Sequence, residues 1–222
     1  MIELWYTAFP EALAPKVLSA HLTRLPPAWQ RKVLGRRRAA GQAGTLFGIL
    51  LLQHMLEQQP AGYGLAQVRQ TADNRPYLPG QSLDFNISHA GRYAVCALSA
   101  AGQVGVDLDH RTRADLAPFA PHFAPAEWTA LQAAPDPQQA FCRLWTQKEA
   151  VAKADGRGLN IPLRDIRIGP DYAQIADDRW HLQEVSVSAP YCLHIASSLP
   201  LPVAPLRRVR FETGLAEQLQ DL

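Results

Sequence analysis

Apolar residues change their spacing several times along this chain, and that alternation most limits what it can fold into. Ile2–Phe9 reads as a strand stopped by Pro10. Two runs with a helical repeat follow, Pro27–Ala40 and Ala43–Gln58, with a break expected near Gly41 and Gly44. The second run spaces Leu46, Ile49, Leu50, Gln53 and Leu56 so that it lies against a core. Gln67–Pro79 is a polar, turn-rich connection. Leu83–Ile87 and Arg92–Ser99 read as strands joined by a turn around His89–Gly91. The pattern then restarts with a strand over Val104–Asp109, a helix from Pro125 and a longer helix over Gln138–Ala154. An antiparallel hairpin, Trp180–Ser188 with Tyr191–Ser197, and a short closing helix over Thr213–Leu222 complete it. Strand, helices, strands, twice over, predicts an α+β protein of two lobes, residues 1–102 and 103–222, although no word-for-word repeat supports the division.

Composition removes several function classes. With 47% hydrophobic and 19% charged residues the chain can build a core, and 18 prolines argue against a plain helical bundle. A net charge of +2 gives almost no support for a dedicated nucleic-acid binder. Cys96, Cys142 and Cys192 stand far apart, with no CxxC spacing for zinc and no even-numbered disulfide framework. The N-terminus lacks a basic leader followed by an apolar stretch. The most apolar window, Leu46–Leu56, is too short for a bilayer and is interrupted by Gln53 and His54. The expectation is a cytoplasmic monomer that binds neither membrane nor nucleic acid.

Three segments carry chemistry. In Gly105-Val106-Asp107-Leu108-Asp109, strand alternation brings both carboxylates to one face. Paired hard oxygens suit Mg²⁺, and an exposed strand end is the competing reading. In Leu144-Trp145-Thr146-Gln147-Lys148-Glu149-Ala150-Val151-Ala152-Lys153, helical spacing puts Lys148 near the centre of an apolar stripe with Phe141, Leu144, Trp145, Val151 and Ala152. An ammonium there requires an anion, or it snorkels to water. Glu149 and Lys153, four apart, share a flank: either a solvated pair, or a third carboxylate for a cation and a positive charge beside phosphate. In Phe85-Asn86-Ile87-Ser88-His89-Ala90-Gly91-Arg92, Ser88 is no hydrolase elbow; His89 either helps to hold a phosphate or serves a structural turn. Upstream, Arg31, Lys32, Arg36, Arg37 and Arg38 form a basic cluster, either a solvated surface or a grip on a polyanion or acidic partner.

Taken in order, NRPYLP, FNISHAGRY, VGVDLD, FAPAEW and LWTQKEAVAKADGRGL, from about residue 74 to 159, resemble the Sfp-type 4′-phosphopantetheinyl transferases. The resemblance implies a pseudosymmetric two-lobed α+β fold with coenzyme A between the lobes. It implies Mg²⁺-dependent transfer of phosphopantetheine to a serine of an apo acyl or peptidyl carrier protein, releasing adenosine 3′,5′-bisphosphate. Asp107, Asp109 and Glu149 resemble the family's Mg²⁺ ligands, with Asp109 shorter than the usual glutamate. Lys153 resembles the lysine on the coenzyme phosphates. Ser88, His89 and Lys32 resemble residues near the 3′-phosphate, and Arg75 the adenine-side contact. Lys148 resembles an organiser of the acidic helix. Glu149 is the first candidate for general base and Glu127 the second. Trp29 and Gly44 stand where some members carry basic residues, a gap that Arg31, Arg36 or Arg37 could fill. The rival readings are a catalytically silent coenzyme A or carrier-binding homologue and a nucleic-acid-binding protein.

Overall fold

The computed structural model describes residues 1–111, 115–158 and 161–212, together with Leu222. The closing helix expected over Thr213–Leu222 lies outside the described residues apart from its last position. In chain order the elements are β1 (Ile2–Ala8), α1 (Pro15–Leu22), α2 (Pro27–Leu34), α3 (Ala39–Glu57), β2 (Arg69–Gln70), β3 (Pro76–Tyr77), β4 (Asp84–Ala90) and β5 (Tyr93–Ser99). There follow β6 (Val104–His110), α4 (Pro125–Gln132), α5 (Pro137–Asp155), β7 (Arg167–Ile168), β8 (Tyr172–Ile175), β9 (Asp178–Val185), β10 (Tyr191–Ser197) and β11 (Arg207–Arg208). No described helix is long and apolar enough to cross a membrane.

Two main sheets result, ordered β11-β1-β5-β4 and β6-β10-β9-β8-β7, beside the small β2-β3 ladder. In each, the lobe's first strand pairs antiparallel with the second strand of its hairpin: β1 with β5, and β6 with β10. The chain finally returns to the first sheet, where β11 runs parallel to β1.

Strand alternation sets the layers. Ile2, Leu4 and Tyr6 of β1 and Tyr93, Val95 and Ala97 of β5 share one core with Val104, Val106 and Leu108 of β6 and Leu193 and Ile195 of β10. The two sheets therefore meet face to face. The opposite faces take helices. Trp5, Ala94, Cys96 and Leu98 pack with Leu46, Phe47, Leu50 and Leu51 of α3, while α5 lies on β6 and β10. The order is helix, sheet, sheet, helix, and β5 and β10 are buried along nearly their whole length.

The helical break differs from the expectation. α2 ends at Leu34, and α3 runs unbroken through Gly41 and Gly44. These glycines do not break the helix, because Gly44 and Gly48 admit a neighbouring strand. A Cβ on Gly44 would stand 2.6 Å from His89 Nδ1, and one on Gly48 2.7 Å from Ile87 Cγ2. His89 also differs: it lies within β4, and the turn follows at Gly91, whose φ is +53°.

The tightest approach is between β6 and α5. A Cβ on Gly105 would sit 2.1 Å from the Ala150 carbonyl oxygen and 2.4 Å from the Ala154 nitrogen. Both obstacles are helical backbone, which cannot turn aside as a side chain can. That contact draws α5 onto the strand face that also carries Asp107 and Asp109. Gly105→Ala is expected to cost about 3 kcal/mol of stability, at the upper end for overpacking, as a lower urea midpoint with the m-value unchanged.

Candidate active site

β4 and β6 are edge strands of different sheets, and side chains join them. Asp84, Asn86 and Ser88 point alternately from β4 toward β6. Asp84 Oδ2 accepts from the Val104 amide at 2.7 Å, and Asn86 Oδ1 accepts from the Val106 amide at 3.2 Å. Ser88 Oγ donates to Asp107 Oδ1 at 2.9 Å. The buried guanidinium of Arg75 clamps the end of this seam. It donates to Asp84 Oδ2 at 2.5 Å, to the Val104 carbonyl at 3.1 Å and to the Lys153 carbonyl.

Lys153 reaches into the seam from α5. Its Nζ donates to Asp107 Oδ1 at 2.5 Å, to Ser88 Oγ at 3.0 Å and to the Val106 carbonyl at 3.3 Å. It therefore pairs across to β6 and not along its own helix with Glu149. Burial pushes the Asp107 carboxyl up, offset in part by Lys153 and Ser88. Burial also raises Asp109, opposed by the His110 amide, with Asp107 raising it further. Burial raises Glu149, and the Asp107 charge adds to it. Among the described residues the Glu149 carboxylate has no hydrogen-bond or ion-pair partner.

These groups open onto a cleft of about 740 Å³. Glu149, Lys153, Arg75 and Asn86 line its polar side, and Trp145, Ile161 and Leu163 its apolar side. The volume suits a ligand of cofactor size. Trp145 is held by Phe141, whose ring stacks on it at 5.6 Å, and by the edge of Phe119 at 5.4 Å.

Beyond Lys153 lies a basic neighbourhood. His89 packs against Gly44, and its pKa is lowered to about 4, first by burial and then by the charges of Lys153 and Arg36. Arg36 Nε donates to Thr45 Oγ1 at 3.1 Å, one residue from Gly44. Of the three arginines offered for the missing basic positions, Arg36 is thus the one whose charge acts on His89. Lys32 is exposed on α2, its Nζ 5.3 Å from the Trp29 ring centre. Trp29 itself is buried, donating to the Leu65 carbonyl at 3.2 Å.

Lys148 and Glu127 are brought to each other. Lys148 is fully buried, and its Nζ lies 2.9 Å from Glu127 Oε2 while donating to the carbonyls of Ile166 at 2.6 Å and Leu163 at 3.0 Å. Glu127 also accepts from the Ala124 amide at 2.9 Å, capping α4. The buried ammonium thus has its anion, and neither group snorkels. The pair ties α4, α5 and the 161–166 segment together.

Residues 103–202 match the sequence profile of the 4′-phosphopantetheinyl transferase superfamily. Over these residues the chain is similar to that superfamily. A 4′-phosphopantetheinyl transferase of Bacillus subtilis is 37% identical over 128 residues, covering 54% of each chain. The transferase HetI of Nostoc is 42% identical over 88 residues, covering 38% of this chain and 37% of its own. The transferase Sfp of Bacillus subtilis is 30% identical over 126 residues, again covering 54% of each. The chain thus spans about half the length of these curated relatives or less. Asp107, Asp109, Glu127, Lys148, Glu149 and Lys153 fall within the superfamily match, whereas Lys32, Arg36, Arg75, Ser88 and His89 lie before it.

The resemblance implies a divalent cation, and the donor types at the seam are hard oxygens of the kind that bind one. Three hard-oxygen carboxyls lie close enough that Asp107 and Asp109 both raise the pKa of Glu149. The Lys153 ammonium supplies the positive charge beside Asp107. Among the described residues no three His, Cys, Asp or Glu side chains stand in a ready metal-binding arrangement. The donor types suit a cation, while among the described residues they do not stand around one point.

The Lys148–Glu127 pair yields a prediction that does not depend on any ligand. Lys148→Met removes the charge, leaving Glu127 and two buried carbonyls without their donor. It is expected to cost about 3 kcal/mol, as when one partner of a buried ion pair is removed. Glu127→Gln should cost less, since that side chain is 23% exposed. Denaturant titration of both variants measures the difference.

Proposed function

We propose that this chain transfers the 4′-phosphopantetheine arm of coenzyme A to a serine of an apo acyl or peptidyl carrier protein. The observation that carries this reading is the polarity of one cleft. Glu149 and Lys153 line its polar side, Lys153 pairs with Asp107 behind it, Asp107 and Asp109 act on Glu149 through their charge, and the charges of Lys153 and Arg36 both act on His89. A ligand with separated phosphates accounts for both halves, because an anion alone would be repelled by the carboxylates. The shared strand order of the two sheets supports reading residues 1–102 and 103–222 as pseudosymmetric lobes with the donor between them.

The residues divide the work as follows. The serine oxygen bonds to the β-phosphorus as the bond from phosphorus to the departing oxygen breaks. That oxygen leaves with the electron pair as part of adenosine 3′,5′-bisphosphate. Glu149, without a protein partner among the described residues and with its pKa raised, accepts the serine proton. Lys153 holds the phosphate oxygens on which charge builds. Arg36, with His89 and Lys32, receives the 3′-phosphate. Arg75 and Ser88 hold the seam and so fix where Lys153 points. Asp107, Asp109 and Glu149 would hold Mg²⁺, which when bound supplies charge neutralisation for the pyrophosphate. Lys148 and Glu127 keep α5 in place beside these groups.

Intact-mass analysis of apo carrier proteins incubated with the chain, coenzyme A and Mg²⁺ tests the reaction. The expected result is a gain of one phosphopantetheine, lost with a chelator and slowed at least about 100-fold in Lys153→Ala and Glu149→Gln. Coenzyme A binding without any mass gain would favour the silent homologue, and neither binding nor gain would sink the reading. The basic end has its own test. Arg36→Ala is expected to raise the KM for coenzyme A about tenfold, the effect of one charged contact, while leaving that for 3′-dephospho-coenzyme A unchanged. Equal effects on both donors would remove Arg36 from the 3′-phosphate site.

A further inference from the structure

Two of the three cysteines, far apart in the chain, meet where α5 lies on β10. Cys142 of α5 and Cys192 of β10 are both buried, and their thiols share a hydrogen bond. Gln139, three residues earlier on α5, donates from Nε2 to Cys192 Sγ at 3.4 Å and so holds that sulfur against the helix. Both are free thiols. Cys192 also borders a cavity of about 430 Å³, lined in addition by Gln139, Glu184, Val187 and Tyr191. None of these residues lines the cleft that holds Glu149 and Lys153, so the pair has an approach of its own. Cys192 is only 3% exposed, which limits that approach to a small molecule.

We propose that Cys142 and Cys192 are an oxidation site, in which hydrogen peroxide joins them into a disulfide that clamps α5 to β10. The shared hydrogen bond assigns the roles. It raises the Cys142 thiol, which donates, and lowers the Cys192 thiol, which accepts, with burial opposing the second shift. The Cys192 sulfur bonds to one peroxide oxygen as the O–O bond breaks, and the departing hydroxide takes the thiol proton and leaves as water. The Cys142 sulfur then attacks the sulfur of the new sulfenic acid. The S–O bond breaks, and hydroxide leaves with the Cys142 proton as a second water. Two thiols lose two electrons, and one peroxide is reduced to two waters. Cys96 supplies the contrast: it is fully buried in β5, its Sγ reaches the Ala97 carbonyl and no second thiol among the described residues, and burial pushes its thiol up. Zinc is a poorer occupant of the pair, because among the described residues no three His, Cys, Asp or Glu side chains are arranged to hold a metal. The inference does not rest on the transferase reading. It bears on that site only through α5, the helix that carries Glu149 and Lys153.

The test is to treat the reduced full-length chain with hydrogen peroxide, block remaining thiols under denaturing conditions, and read intact mass and a peptide map. The expected result is a loss of about 2 Da, a crosslink between the Cys142 and Cys192 peptides, and Cys96 recovered as a blocked thiol. Dithiothreitol should restore the starting mass, and the oxidised chain should melt at a higher temperature than the reduced one. Cys142→Ala should leave Cys192 as a sulfenic acid that dimedone traps. Cys192→Ala should slow oxidation of the remaining pair member at least about tenfold. The wild-type map decides by itself where either variant does not fold. No disulfide, a bridge to Cys96, a bridge between two chains, or peroxide products on Cys192 without a bridge in the wild type would each overturn the proposal. The carrier mass assay is read separately on the reduced chain: a chain that forms the bridge but modifies no carrier and binds no coenzyme A would overturn the transferase reading and leave the oxidation site standing.

Discussion

Edge strands carry a row of amides that must find partners, and here two edges from different sheets are closed by side chains instead of by a backbone ladder. Asp84 and Asn86 satisfy the Val104 and Val106 amides, and Ser88 continues the series to the Asp107 carboxylate. A ladder would have set β4 and β6 about 4.8 Å apart and sealed the join. Side-chain bridging keeps the strands farther apart and leaves polar groups along the line. The cleft opens where that line meets α5, so the residues that unite the lobes also lie beside the site. Arg75 makes the dependence explicit, since one guanidinium bonds β4, β6 and the backbone of α5 at Lys153.

Much of this was legible because the periodic signals were long. β1, β5, β6, α5 and the β9–β10 hairpin each repeat a pattern for seven residues or more, and their expected spans differ from the observed ones by a few residues at most. The α2–α3 boundary was not legible, because glycine carries two opposite meanings. It weakens a helix through backbone entropy, and it also opens a helix surface to a close neighbour. Gly44 and Gly48 have the second meaning, which only the position of β4 reveals. The short strands β7, β8 and β11 gave no signal of their own. They exist because longer strands offer them an edge, a tertiary cause that local sequence does not record.

The candidate site was legible in its members more than in its pairings. Strand alternation placed Asp107 and Asp109 on one face, and helical spacing placed Glu149 and Lys153 on one flank. Which carboxylate the ammonium would choose depends on the approach of α5, and Gly105 controls that approach. With no Cβ there, the helix comes close enough for Lys153 to reach Asp107 Oδ1 and to leave the Glu149 carboxylate unpaired among the described residues. A residue with no charge therefore decides how three charged ones are shared.

The same geometry gives two lysines of one helix different surroundings. Lys148 and Lys153 are five residues apart on α5, so about 140° divides them around the axis. Lys148 points toward α4 and the 161–166 segment, where it meets a carboxylate and two carbonyls. A fully buried cation with that many oxygens is immobilised, and breaking the arrangement strands its partners in a medium that cannot solvate them. Lys153 faces the seam and is partly exposed, with the cleft on one side and Asp107 on the other. Its interactions can be exchanged for those of an arriving anion without unfolding anything. Burial, and not position in a motif, makes the first lysine a strut and leaves the second available to a ligand.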